Sequence, residues 1–113
     1  MKIVKKSDAQ TYKSSESCIA TEYPMDDKNI NIAYITINGR YPDKGKVKNK
    51  VCKEMIYIVK GNAKLYKDDE IYEFGEGDAV LIEPGDEYYW EGNIEMVVPC
   101  SPAWYPEQHE RVE

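Results

Sequence analysis

The chain has 113 residues and a single histidine, His109. That scarcity excludes any multi-histidine metal centre built within one subunit, because neutral imidazole is the side chain that zinc, iron, copper and nickel favour. Cysteine is also sparse. Cys18, Cys52 and Cys100 are odd in number and widely spaced, so no disulfide framework is expected and a reduced, cytoplasmic setting is the simpler reading. No CxxC pair exists, which removes a structural zinc knuckle. No apolar run is long enough to span a bilayer, and the charged opening MKIVKKSDAQ has no apolar stretch behind it, so neither a membrane span nor a secretory leader is expected. Positive charge is in the minority. The formal net charge is −6, and an acidic surface repels polyphosphate, which makes nucleic acid a poor partner. Helical periodicity is missing throughout; EQHERVE offers one turn at most.

What remains is strand and turn. Short apolar segments alternate with turn residues, the pattern of an all-β sandwich or barrel in a single domain, residues 1–113. CIATEY reads as an early strand. NINIAYITI alternates with period two and is apolar on both faces, so it is expected to be central or at an interface, with NGR ending it in a turn. EMIYIV follows, closed by KGN; AKLY, the loop KDDE and IYEF form a hairpin; GEGDAVLI is a buried strand; EPGDE is a Pro-Gly turn; YYW, an EGN turn and IEMVV make the last hairpin. The segment from Pro99 onward carries three prolines, cannot pair as a central strand, and is expected to wrap over the barrel or onto a second subunit, because Trp104 and Tyr105 need burial. There are ten tyrosines against one phenylalanine, and tyrosine suits both strands and pockets with a polar contact.

The spacing of Glu54 and Gly61, followed by Gly77, Asp78, Pro84, Gly85 and Asn93, resembles the two motifs of the cupin superfamily, over residues 39–93. The first motif runs H-x-H, three or four residues, E, six residues, G. The second is a G-D strand, a P-G turn, an inward histidine and a later N. The resemblance implies an all-β, cupin-like jelly-roll β-barrel with a short Pro/aromatic C-terminal arm. Aligned on Glu54 and on Pro84-Gly85, the three histidine positions fall on Lys48, Lys50 and Tyr88. Ammonium groups do not ligate a cation, so neither a metal nor another cofactor is expected.

The alignment aims Lys48 and Lys50 into the barrel mouth, where they would attract a small anion; the competing reading is a solvated edge strand whose lysines block edge-to-edge association. Glu54 borders the core and needs a partner, either one of these lysines or a proton. Tyr88 and Trp90 share a strand face and are either core or a stacking wall. Cys52 lies at strand spacing from Glu54, as a small buried hydrophobe or a nucleophile; the latter needs a base, and His109 would have to fold back from the tail.

The expected function is a metal-free small-molecule binding domain, for an anionic or carbohydrate-like ligand held by Lys48, Lys50, Glu54, Tyr88 and Trp90. The alternatives are a small enzyme, isomerase/epimerase-like or lyase, acting on a carbohydrate or carboxylate through Glu54 and Tyr88, and a structural or regulatory dimer module whose pocket is filled by its own side chains. A homodimer is expected from the apolar outer face of Met55, Tyr57 and Val59.

Overall fold

The computed structural model describes residues Met1–Glu113. Nine strands, all paired antiparallel, form one curled sheet around a single core. They are β1 (Gln10–Ser15), β2 (Cys18–Glu22), β3 (Asn31–Tyr41), β4 (Lys46–Asn49), β5 (Lys53–Lys67), β6 (Glu70–Phe74), β7 (Ala79–Ile82), β8 (Tyr88–Ser101) and β9 (His109–Val112). The architecture is an all-β jelly-roll barrel. No helix is long and apolar enough to cross a membrane.

Strand β8 is the axis of the sheet. It pairs with β3 along one edge and with β5 along the other. Its burial alternates along most of its length, and Tyr88, Trp90, Ile94, Met96, Val98 and Cys100 point inward. Strand β5 alternates in the same way, with Glu54, Ile56 and Ile58 inward and Met55, Tyr57 and Val59 exposed. Apart from Glu54 and Cys100, these inward residues meet Ile37 of β3, Val47 of β4 and Ile82 of β7 in one hydrophobic cluster. The central position expected for NINIAYITI is the observed one, since β3 lies between β2 and β8.

Three expected turns are absent. NGR does not end β3, which continues to Tyr41; KGN does not end β5; EGN does not divide β8. Their glycines instead bend the sheet. Gly39 of β3 lies opposite Gly92 of β8, and Gly92 lies opposite Ala63 of β5, two residues beyond Gly61. All three glycines have positive φ, at 119°, 148° and 89°. A Cβ on Gly61 would lie 2.1 Å from the Asn93 carbonyl oxygen, and one on Gly92 would lie 2.6 Å from that of Asn62. The two longest strands therefore cross the bend with their backbones in close approach, the use of strand glycine expected at a barrel corner. Gly61→Ala is expected to destabilise by about 1–3 kcal/mol from backbone strain alone, and by more where the strands must separate. Urea unfolding of the variant checks this.

The KDDE loop is as expected, a two-residue connection at Asp68 and Asp69 with Lys67 opposite Glu70. The tail differs from the expected single helical turn. Residues Pro106–Gln108 make a 3-10 turn, and β9 then pairs with β4 over Lys46–Asn49. β4 is therefore not an edge strand; β9 is.

Candidate functional site

The site begins with the parity of β4. Val47 is fully buried in the core, so period-two alternation turns Asn49 inward as well and sends Lys46 and Lys48 outward. The Lys48 amine reaches Glu87 at 4.0 Å, with over a quarter of the side chain exposed, and Lys50 is exposed. Neither lysine lines the cavity. This corrects the inward direction expected for both. Four residues, not three, separate the last inward residue of β4 from Glu54, so the position facing the barrel interior is Asn49.

Glu54 is buried, and its Oε1 accepts two hydrogen bonds, from Asn49 Nδ2 at 2.7 Å and from the Tyr88 hydroxyl at 3.2 Å. Its partners are thus an amide and a phenol, not a lysine. The C-terminal arm supplies the rest. Gln108, 1% exposed, donates from Nε2 to Asn49 Oδ1 at 2.9 Å. His109 places Nδ1 3.0 Å from the same oxygen and Nε2 3.1 Å from the Tyr41 hydroxyl. Trp104 packs on the imidazole, with ring centroids 5.5 Å apart. The tail histidine does fold back over the barrel, and it meets Asn49 and Tyr41 rather than Cys52. Cys52 is fully buried, and burial raises its thiol pKa. It packs as a small hydrophobe.

A cavity of about 110 Å³ lies against this network. Its apolar walls come from β2, β3, β5 and β8, with Trp90 and Met96 among them, and Trp104 covers it from the arm. The polar groups on it include Tyr41, Glu54, Tyr88 and His109, with Glu22 and Asn31 also in the lining. No lysine or arginine lines it. Of the residues singled out from the sequence, the structure brings Glu54, Tyr88 and Trp90 together and leaves Lys48 and Lys50 outside. Asn49, Tyr41 and Gln108 were missed, and His109 was considered only as a base for Cys52. The four-residue form of the motif spacing signals Asn49; nothing local signals Tyr41 or Gln108.

Burial sets the protonation pattern. Desolvation raises the Glu54 carboxyl above 4.5, partly offset by the bonds from Asn49 and Tyr88. It pushes Tyr41 up to about 12 and Tyr88 well above 10, with the Glu54 charge adding to both. Desolvation, then the Arg111 charge, lowers His109 below 6.5. At neutral pH the imidazole and both phenols are therefore uncharged. The raised Glu54 value has a consequence for stability. Below 4.5 the carboxyl is protonated in both folded and unfolded chains, and its contribution is fully present; it is lost as pH rises through the higher folded value. Glu54→Gln does not titrate, so its melting temperature is expected to gain on that of the unsubstituted protein from acid to neutral pH. A difference that stays constant across that range would show an unshifted carboxyl.

The model of the EutQ-like cupin domain family matches residues 40–98, more than half of the chain, and the chain belongs to that family. A search of curated protein sequences finds no match. Among solved structures, the Streptomyces protein Pac13, described as a nucleoside dehydratase, superposes with a TM-score of 0.89 at 17% identity, covering 100% of this chain and 92% of that one. The polyketide cyclase RemF from Streptomyces resistomycificus gives a TM-score of 0.77 at 16% identity, covering 100% and 86%. Oxalate decarboxylase from Bacillus subtilis gives 0.81 at 17% identity, covering 99% of this chain and 32% of that one. At these identities the likeness establishes the fold.

The cupin resemblance implies a metal, and the donor set here does not fit one. Asn49, Glu54 and Tyr88 face the barrel interior where the motifs place ligands, the Asn49 amide is engaged on both its oxygen and its nitrogen, and no three His, Cys, Asp or Glu side chains group to hold an ion. A transition-metal site takes three or four such ligands.

Proposed function

We propose that the barrel is a small enzyme performing metal-free acid–base chemistry, of the lyase or isomerase class, on a small neutral hydroxylated molecule. One observation carries this: a continuous hydrogen-bonded chain, Tyr88–Glu54–Asn49–His109–Tyr41, whose two ends both open on the same cavity. Such chemistry needs a proton acceptor and a proton donor on one ligand, each with its charge state set by its surroundings. A neutral imidazole next to one end, His109, and a carboxyl of raised pKa next to the other, Glu54, meet that need, and both also line the cavity. The lining lacks a cation, which favours neutral ligands over the anions expected from the lysines. The cavity of about 110 Å³ suits a small ring or chain. That relatives of this fold include a nucleoside dehydratase and a polyketide cyclase supports an enzyme reading.

The predominantly apolar lining also supports a second reading, a binding domain without turnover. A single experiment separates the two. Hydroxy-carbonyl compounds, small sugars and nucleosides, uridine among them, are screened by ligand-observed NMR in deuterium oxide. The enzyme reading expects a neutral compound that binds and then exchanges a carbon-bound proton or loses water. Binding without exchange or elimination favours the binding domain, and binding confined to anions overturns the assignment of a neutral ligand.

We also infer a homodimer through the outer face of β5 and β7. Met55 is 51% exposed, Tyr57 51% and Leu81 42%, and Met55 lies directly opposite Leu81. Nothing in the chain covers this apolar strip, and a second copy would bury it. Sedimentation at micromolar concentration is expected to give twice the chain mass, and Tyr57→Glu to give the chain mass alone.

A further inference from the structure

We propose that His109 is the general base of the cavity and that Gln108 is the positioning residue that fixes its tautomer. This rests on the acid–base reading above and identifies which end of the chain takes the proton.

The argument starts from backbone, where donor and acceptor are not interchangeable. Gln108 Oε1 lies 3.3 Å from the Val51 amide nitrogen and 3.1 Å from that of Cys52. Both are N–H donors, so the atom facing them must be the amide oxygen. The other end of the Gln108 amide is then its NH2, and it donates to Asn49 Oδ1 at 2.9 Å. The Lys50 amide adds a further tie, donating to the Gln108 carbonyl at 2.8 Å. With Oδ1 on that side, Asn49 must turn Nδ2 toward Glu54, where it donates at 2.7 Å. Oδ1 also faces His109 Nδ1 at 3.0 Å. An amide oxygen only accepts, so Nδ1 carries the proton. A neutral imidazole has one N–H, and Nε2 is left with its lone pair, accepting from the Tyr41 hydroxyl at 3.1 Å.

The polarity of the network is therefore imposed from two main-chain N–H groups in the β4–β5 connection and ends in a basic nitrogen at the cavity wall. Rotation of the Gln108 amide would set its NH2 against two N–H donors. Rotation of Asn49 would do the same against Gln108 and would place an acceptor against Glu54. Both amides are buried, and an unsatisfied buried group costs ~1–3 kcal/mol, so the wrong polarity is penalised at each link. In the reaction, Nε2 takes a proton from a ligand carbon or hydroxyl, and the electron pair of the broken bond stays on the ligand. The resulting imidazolium keeps Nδ1–H on Asn49. Tyr41 is the group displaced or bridged as the ligand approaches Nε2.

Because His109 is the only histidine, long-range proton–nitrogen NMR of the ring gives one set of signals. At neutral pH the expected result is a protonated Nδ1 and an unprotonated Nε2. Gln108→Glu keeps the acceptor for Val51 and Cys52 but removes the donor to Asn49, and it is expected to produce a tautomer mixture. An Nε2–H tautomer in the unsubstituted protein overturns the positioning role even if no variant folds; an unchanged tautomer in a folded Gln108→Glu overturns it as well. For the base role, His109→Gln is compared with the unsubstituted protein on any compound that exchanges deuterium, and exchange is expected to fall ~100-fold or more with binding retained. Equal exchange overturns the base role and leaves the acid–base reading standing. No exchange with any compound overturns that reading and the base role with it, while the tautomer result stands separately.

Discussion

Glutamine in place of Glu54 is expected to lower turnover by ~10²–10⁴-fold, the range general acid–base groups supply, while leaving the fold intact. Glutamine keeps the length of the side chain. Its oxygen can accept from Asn49 Nδ2 and from the Tyr88 hydroxyl as Glu54 Oε1 does. What it cannot do is gain or lose a proton at the cavity. Alanine would confound the test, because it leaves the Asn49 amide and the Tyr88 hydroxyl without an acceptor in a buried site, a penalty of about 1–3 kcal/mol for each group. The glutamine variant is also expected to be the more stable protein at neutral pH, since burial disfavours the carboxylate. Stability and activity therefore move in opposite directions at one residue, as they do where a site holds a charge it would be easier to bury neutral. The measurement is the rate of deuterium exchange or water loss on a bound compound, paired with a melting curve. Unchanged exchange in a folded variant would sink the role of Glu54 as an acid–base group and leave it a structural acceptor for Asn49 and Tyr88.

How legible this site was in the sequence depended on how local each signal is. The alternation in EMIYIV reflects burial of one face, which the segment carries on its own, and the first half of β5 followed it; NINIAYITI is apolar on both faces, and β3 lies half-buried between two strands as that pattern implied. Gly61-Asn62 and Gly92-Asn93 read locally as turns. They lie in two strands that pair with each other, Gly61 opposite Ile94 and Asn62 opposite Asn93, and the freedom that suits glycine to a turn serves here to bend two strands together. The distinction is tertiary and absent from either segment alone. The lysine run misled by parity. Lys46, Lys48 and Lys50 alternate with Val47 and Asn49, so one face or the other is inward, and a family motif that tolerates two spacings does not choose. Burying a valine in place of an ammonium does choose: desolvating a charge costs far more than burying Val47 stabilises. The arm was the least legible part. β9 is four residues long with an irregular burial pattern, and its function rests on contacts between positions 108–109 and 41–52, roughly sixty residues away in the chain.

Trp90→Ala is expected to destabilise the barrel by about 3–5 kcal/mol, the range for deleting a large buried aromatic, against a total stability for a domain of this size of about 5–15 kcal/mol. Trp90 is 2% exposed and among the largest fully enclosed side chains. It sits on β8 directly opposite Tyr41 of β3 and Leu65 of β5, and its ring meets Phe74 of β6 with centroids 5.7 Å apart at 55°. It therefore joins the β5–β6 hairpin to β3 beside the glycine bend, where a smaller side chain would leave a void. It also lines the cavity, so a loss of ligand in the alanine variant alone would not separate a wall from a keystone of the core. Trp90→Phe makes that separation. Phenylalanine retains the contact with Phe74 and much of the buried area, and it is expected to cost less than half as much stability while widening the cavity on one side. The measurement is the urea midpoint of both variants with an unchanged slope, which keeps the comparison two-state. A loss of under about 1 kcal/mol for Trp90→Ala would mean that neighbouring side chains close the space, and Trp90 would then be a wall of the ligand site with little part in holding the barrel together.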